Sequence, residues 1–172
     1  MATDIFPENF YKDLYEEICS YAESNFECDD EEATSTSISM ELEIGDILVC
    51  LNADFDVEWQ DDSFDHAFGT WHGWHMELRD LQDIDIEAVY DEEGEDITKK
   101  FDNNAFWAQF HRTEVKLKSG EVIKAGDDVQ YLFCWATWLE MTFEYYDTLH
   151  KRYVGKDAKG YQCTSRSIRK AA

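Results

Sequence analysis

Residues 38 to 59 alternate between apolar and polar side chains with a period of two, and this pattern constrains the fold more than any other feature. Apolar side chains occupy the even positions from Ile38 to Ile44 and the odd positions from Ile47 to Trp59. Because successive side chains of a strand point to opposite faces, each run predicts a strand with one buried face. Gly45 and Asp46 between the runs are typical of a tight turn. The segment therefore predicts a β-hairpin.

Helical spacing comes before this hairpin, and less regular strands follow it. Residues 7–25 predict an amphipathic helix, since Pro7 suits a first turn and apolar residues recur every three to four positions. Beyond the hairpin we expect a loop over 60–69, an aromatic strand over 70–78 and a further strand over 84–88.

The C-terminal third gives a mixed signal. We expect a short helix over 103–112 and a small hairpin over 114–124 that turns at Ser119 and Gly120. Apolar residues from 127 to 153 fall on one face of a predicted long helix, capped by an aspartate. Residues 129–143 also alternate with period two, so a strand is the alternative there.

Together these elements predict an α+β fold in a single domain. A mostly antiparallel sheet packs against an N-terminal and a C-terminal helix over residues 1–154 and presents an acidic outer face. Residues 155–172 are basic and predict a flexible tail. Although the net charge of −24 is often a sign of disorder, 26 aromatic residues and a single proline favour a packed core.

The charge is distributed unevenly along the chain. Residues 1–98 contain 30 Asp and Glu but only Lys12 and Arg79, a net charge of −28. Residues 99–150 have a net charge of −2, and residues 151–172 reverse the sign to +6. The N-terminal half therefore dominates the electrostatic field.

Acidic residues recur with period two opposite the predicted core positions of three strands. No lysine or arginine interrupts these rows, and like charges on neighbouring strands oppose stability. We therefore predict that they form a binding surface. Its predicted contacts are Glu41, Glu43, Asp54, Asp56, Glu58, Asp83, Asp85 and Glu87.

The partner that suits such a surface is a basic protein surface, for example that of a nucleic-acid-binding protein. Regular negative charge imitates a phosphate backbone, and phage and plasmid antirestriction and anti-defence proteins use this strategy as a class. Direct nucleic-acid binding is not expected, because the acids repel phosphates. The alternative is a solvating surface without an electrostatic partner.

No catalytic motif is present, so we predict a non-catalytic protein. The rival hypothesis is a divalent metal site, for binding or catalysis, because histidine and carboxylate ligands occur close together in a glycine-containing segment. Its candidate ligands are Asp65, His66, His72 and His75.

The sequence favours a cytoplasmic protein without membrane contact. The N-terminus lacks the pattern of a secretory signal, and no apolar run approaches the length of a membrane span. Five cysteines without a C-x-x-C pair favour reduced thiols. The oligomeric state cannot be predicted from these features.

Overall fold

The structure is a computed structural model that describes residues 5–134 and 137–171, with the side chain of His66 outside the description. It is mostly antiparallel β-sheet with few helices, in agreement with the predicted α+β class. The backbone separates into two compact units, one ending at Phe106 and the other beginning at Trp107. Each unit is described by itself below.

The N-terminal unit begins with the helix that the apolar spacing predicts. Helix α1 spans Phe10–Asn25, and its buried side chains recur every three to four positions. They are Phe10, Leu14, Ile18 and Ala22. The prediction of an amphipathic helix is therefore confirmed.

The main sheet of this unit has three antiparallel strands in the order β1-β2-β5. Strand β1 spans Ser35–Ile44, β2 spans Ile47–Asp61 and β5 spans Trp74–Tyr90. Strands β1 and β2 form the predicted hairpin, and Gly45 turns it with φ 64°, a conformation that glycine adopts without strain. Helix α1 lies in contact with β1.

Strand β5 is longer and less regular than the sequence predicts. It includes the predicted strand at 84–88 and the end of the predicted strand at 70–78. The pairing of β2 with β5 shifts register at three places, where extra residues of β5 bulge out of the ladder. These bulges break the alternation, because an extra residue reverses the side-chain phase.

Shorter elements complete the N-terminal unit. A small hairpin of β3 (Phe64–His66) and β4 (Gly69–Trp71) lies between β2 and β5 in the sequence, inside the predicted loop and aromatic strand. A 3-10 turn spans Thr98–Lys100, and helix α2 spans Asn103–Ala108, across the boundary between the two units. Helix α2 is shorter than the predicted helix at 103–112.

The C-terminal unit has no long helix in its described residues, so the predicted C-terminal helix is wrong. Residues 127–153 instead contain β9 (Asp128–Cys134) and β10 (Thr137–Asp147), which pair antiparallel. The alternative prediction of a strand over residues 129–143 therefore agrees with the structure. Its burial also alternates, with Val129 and Tyr131 buried and the intervening Gln130 half-buried.

The other strands of the C-terminal unit extend this sheet to the order β12-β11-β10-β9-β13, and β6 also pairs with β10. Their bounds are His111–Arg112 for β6, Arg152–Lys156 for β11, Gln162–Ser165 for β12 and Ile168–Lys170 for β13. The predicted hairpin is confirmed as β7 (Glu114–Lys116) and β8 (Val122–Lys124).

The segment 155–172 differs from the flexible tail that we expected. Strands β12 and β13 pair with β11 and β9, and the apolar Ile168 is buried in the core of this unit. Its basic side chains at 166, 169 and 170 are exposed. The strands β12 and β13 are so short that their apolar–polar alternation is hard to recognise in the sequence, and the many basic residues favoured the prediction of a flexible tail.

No helix in residues 5–134 and 137–171 is long and apolar enough to cross a membrane.

Candidate partner-binding surface

Eight acidic side chains on β1, β2 and β5 are the predicted contacts, and all eight are exposed. On β2 they alternate with buried residues, so that Phe55 and Val57 are 2% and 7% exposed between acidic neighbours. The same alternation holds on β1, where the buried Leu42 separates Glu41 from Glu43. On β1 and β2 the exposure of the predicted acids therefore follows from the strand period.

The register of the sheet offsets the acids of β1 from those of β2. Glu41 pairs with Cys50, and Glu43 pairs with Leu48. At the other end of the hairpin the carboxylate of Asp54 lies opposite a serine, Ser37. The acids of these two strands thus occupy opposite ends of the hairpin and do not form two adjacent rows.

Between β2 and β5 the acids do meet directly. Asp54 pairs with Asp83, and Glu58 pairs with Glu77. Directly opposite side chains of an antiparallel pair have Cβ atoms about 5 Å apart, a distance at which like charges repel. Glu77 is an acid that the sequence reasoning missed, because the bulges of β5 conceal the phase of that strand.

One basic residue does interrupt the acidic surface, contrary to the sequence-based expectation. The guanidinium of Arg79 contacts the carboxylate of Glu58 at 2.5 Å and that of Glu77 at 3.2 Å. It therefore offsets the repulsion of this cross-strand pair. The sequence places Arg79 in β5 but gives no sign that it reaches β2.

Two other acids are stabilised by amide side chains. Gln82 Nε2 donates to Asp56 Oδ2 at 2.9 Å, and Asn52 Nδ2 donates to Glu87 Oε1 at 2.8 Å. Four carboxylates of the predicted set make no hydrogen bond or ion pair to any described residue. They are Glu41, Glu43, Asp54 and Asp85.

A shallow depression of about 350 Å³ opens beside Glu41 and Glu87, with Cys50 in its wall. Partial burial raises the pKa of the Cys50 thiol, and the neighbouring Glu41 and Glu87 carboxylates raise it further. A thiol with a raised pKa is a poor nucleophile, since the thiolate is the reactive form. The raised pKa therefore argues against Cys50 as a nucleophile.

The predicted metal ligands are partly engaged with other groups. Asp65 Oδ1 accepts a hydrogen bond from Thr70 at 2.6 Å, and His75 Nδ1 lies 2.6 Å from Asp62 Oδ2. His72 is exposed, and the side chain of His66 lies outside the described residues. Within the described part of the chain no three His, Cys, Asp or Glu side chains are grouped as a metal would need. The four-ligand set stays a prediction.

The C-terminal unit contains a buried polar cluster that the sequence did not suggest. The Asp147 side chain is 9% exposed, and its carboxylate lies 2.6 Å from His150 Nδ1 and 3.5 Å from Arg152 Nε. Its other oxygen accepts the backbone N–H groups of Leu149 and His150. Burial raises the pKa of Asp147, but the hydrogen bonds from His150 and the charges of His150 and Arg152 outweigh it, so the pKa lies below its usual value.

Comparisons with protein-family models, with curated proteins and with solved structures find no significant match for this chain.

Proposed function

We propose that this chain is a non-catalytic interaction protein whose acidic strand residues bind a basic surface of another protein. The observation that carries the proposal is the set of exposed carboxylates without a hydrogen bond or ion pair to described residues: Glu41, Glu43, Asp54 and Asp85. A partner that supplies lysine or arginine gives these carboxylates the counter-charge that the described residues do not.

In this proposal the two faces of the β1-β2-β5 sheet have different roles. The apolar side chains of α1 are buried, α1 contacts β1, and every acid of the predicted set is exposed. We infer that α1 covers the apolar face of β1-β2-β5 and that the acids form the outer face. A face supported by a hydrophobic core holds its backbone in a fixed position, so little backbone order is lost on binding.

A nucleic-acid-binding protein is the partner class that fits this arrangement best. Carboxylates two residues apart on a strand are separated by about 6.8 Å, twice the strand rise, and the twist of a sheet displaces them along a curved path. A groove lined with lysine and arginine for phosphates accepts such a path. The chain would then act as a DNA mimic that inhibits its partner.

The cost of this surface in the isolated chain also supports a binding role. Asp54 lies directly opposite Asp83, and such like-charge pairs destabilise a sheet by about 0.2–1 kcal/mol. A basic partner converts this repulsion into attraction and accelerates association at low salt. A surface selected for solubility alone gains nothing from opposing like charges.

The proposal is tested by capture from a cell lysate at low and at high salt. The immobilised chain is compared with a sheet-neutralised variant in which the eight predicted contacts become Asn or Gln. We expect a basic protein that elutes at high salt from the wild type and is absent from the variant.

A matched variant controls for net charge. It neutralises eight other exposed acids of the N-terminal unit, which gives both variants a net charge of −16. These acids are Glu17, Glu23, Glu27, Asp29, Glu31, Glu32, Glu92 and Glu93. The matched variant should still capture the partner, and equal loss by both variants would show non-specific ion exchange instead.

A further inference from the structure

Exposed aromatic side chains concentrate at the end of the β2-β5 pair farthest from the Gly45 turn. Trp59 at the end of β2 is 44% exposed, and Trp74 at the start of β5 is 40% exposed. Trp71 of the neighbouring β4 is 47% exposed. Exposed large apolar side chains normally occur singly, and a group of them marks an interaction site.

The register places a carboxylate between two of these tryptophans. Asp61 pairs directly with Trp74, and Trp59 pairs with Met76. Residues that pair directly share a face of the sheet, as do residues two apart on one strand. Trp59, Asp61 and Trp74 therefore share a face and define what we call the tryptophan–aspartate patch. It continues the face that carries the buried Val57 and Met76, opposite Glu58.

The carboxylate of this patch is held in place and ionised. Asp61 Oδ1 accepts the backbone N–H of Ser63 at 2.8 Å. Hydrogen bonds from the side chain and backbone of Ser63 lower the pKa of Asp61. The patch thus combines a fixed negative charge with two exposed indole rings.

This combination matches the chemistry of a guanidinium group. Arginine stacks on aromatic faces and is more weakly hydrated than lysine, and its planar fork pairs with a carboxylate at the same time. A lysine ammonium reaches the carboxylate but gives up more hydration to contact the rings. Tryptophan and arginine are also the residues that most often anchor protein interfaces.

We propose that the tryptophan–aspartate patch binds an arginine side chain of the basic partner and selects arginine over lysine. Because the patch lies on the face opposite the acidic strand residues, it is a second contact site at the end of the β2-β5 pair. This inference rests on the proposed function only in taking the partner to be a basic protein. It adds a specific anchor to an attraction that depends otherwise on charge alone.

The test measures binding of two fluorescently labelled peptides, nine arginines and nine lysines, to the full chain by anisotropy at about 0.15 M salt. The variant Trp59→Leu/Trp74→Leu keeps apolar side chains but removes both rings. We expect the ratio of arginine to lysine affinity to be about fivefold larger for the wild type than for this variant, because each exposed cation–π pair contributes a factor of about 2 to 5.

Two further variants complete the design. Asp61→Asn should also reduce the ratio, because the guanidinium loses its ionised partner. Tyr161→Ala removes an aromatic side chain of the C-terminal unit that is 69% exposed, and it should leave the ratio unchanged. Circular dichroism melting of each variant confirms that the fold is intact, and Asp61→Asn tests the patch without any loss of apolar area.

The outcomes separate this inference from the proposed function. If the ratio is the same in the wild type and in both patch variants, the inference is overturned, while loss of both peptides by the sheet-neutralised variant still supports the acidic surface. If sedimentation shows a dimer that Trp59→Leu/Trp74→Leu dissociates and the ratio stays constant, the patch binds a second copy and the inference is again wrong.

Discussion

The N-terminal unit contains 31 acidic and four basic residues, whereas the C-terminal unit contains eight acidic and eleven basic ones. In the C-terminal unit the two signs meet: Lys156 pairs with Glu144 at 2.7 Å, and Lys124 pairs with Glu114 at 2.9 Å. Among the described residues of the N-terminal unit, most acids form no ion pair with lysine or arginine, and Arg79 is shared by two of them. The two units therefore differ in their charged side chains: two acids of the C-terminal unit pair with lysine, whereas most described acids of the N-terminal unit face solvent.

This difference teaches that net charge alone does not describe a surface. In the C-terminal unit two lysines form ion pairs with glutamates, and the buried Asp147 is held by neighbouring donors. Four carboxylates of the acidic set in the N-terminal unit make no hydrogen bond or ion pair to a described residue. Neutralisation of Asp147 and neutralisation of Asp54 should therefore change stability in opposite directions.

The largest effect is expected at Asp147 in the C-terminal unit. Asp147→Ala should destabilise this unit by about 3 kcal/mol, because the backbone N–H groups of Leu149 and His150 lose a buried acceptor and Arg152 loses its ion pair. Hydrogen exchange of the β10 and β11 amides measures the loss locally. Glu140→Ala on the same strand is the control, since Glu140 is exposed and should change stability by less than about 0.5 kcal/mol. Equal effects of the two substitutions would show that the buried cluster around Asp147 does not stabilise this unit.

A smaller effect of the same residue is expected in acid. Because the folded-state pKa of Asp147 lies below its usual value, its contribution is complete above the unfolded pKa and is lost as pH falls through the folded pKa. Below about pH 4 the wild type should therefore lose more protection of β10 than Asp147→Asn does. Parallel pH profiles for the two proteins would show that the carboxylate is not stabilised by its neighbours.

The smallest effect, and the opposite sign, is expected at Asp54 in the N-terminal unit. Asp54→Asn should stabilise the β2-β5 pair by about 0.3 kcal/mol at low salt, because it relieves repulsion from Asp83. The gain should shrink as salt screens the pair. Urea unfolding at about 0.02 M and 0.5 M salt measures it, and Asp83→Asn completes a double-mutant cycle. If Asp54→Asn destabilises the protein at low salt, the two carboxylates do not repel each other measurably.

The sequence predicted the regular elements and missed those that depend on pairing. Helix α1 and the β1-β2 hairpin follow from uninterrupted periods of 3.6 and 2. Residues 129–143 satisfy both periods, and the pairing of β9 with β10 decides between them. That pairing is a tertiary contact, so no local propensity could select it.

For the candidate binding surface, the sequence predicted that the acidic side chains are exposed but not which residues they contact. On β1 and β2 each acid of the set is exposed because it alternates with core residues, and that alternation is visible in the sequence. The bridge from Arg79 to Glu58 depends on a register that the bulges of β5 determine. Bulges leave little trace in composition, so Glu77 and the tryptophan–aspartate patch also required the structure.

The most direct test of the proposed function is the affinity of the captured basic partner for three forms of the chain, measured by isothermal titration calorimetry. They are the wild type, the sheet-neutralised variant and the matched variant of equal net charge. We predict that sheet neutralisation weakens binding by about 30-fold or more, while the matched variant stays within about threefold of the wild type. Equal weakening by both variants, or no weakening by the sheet-neutralised variant, would contradict the proposal that these strand acids form the binding surface.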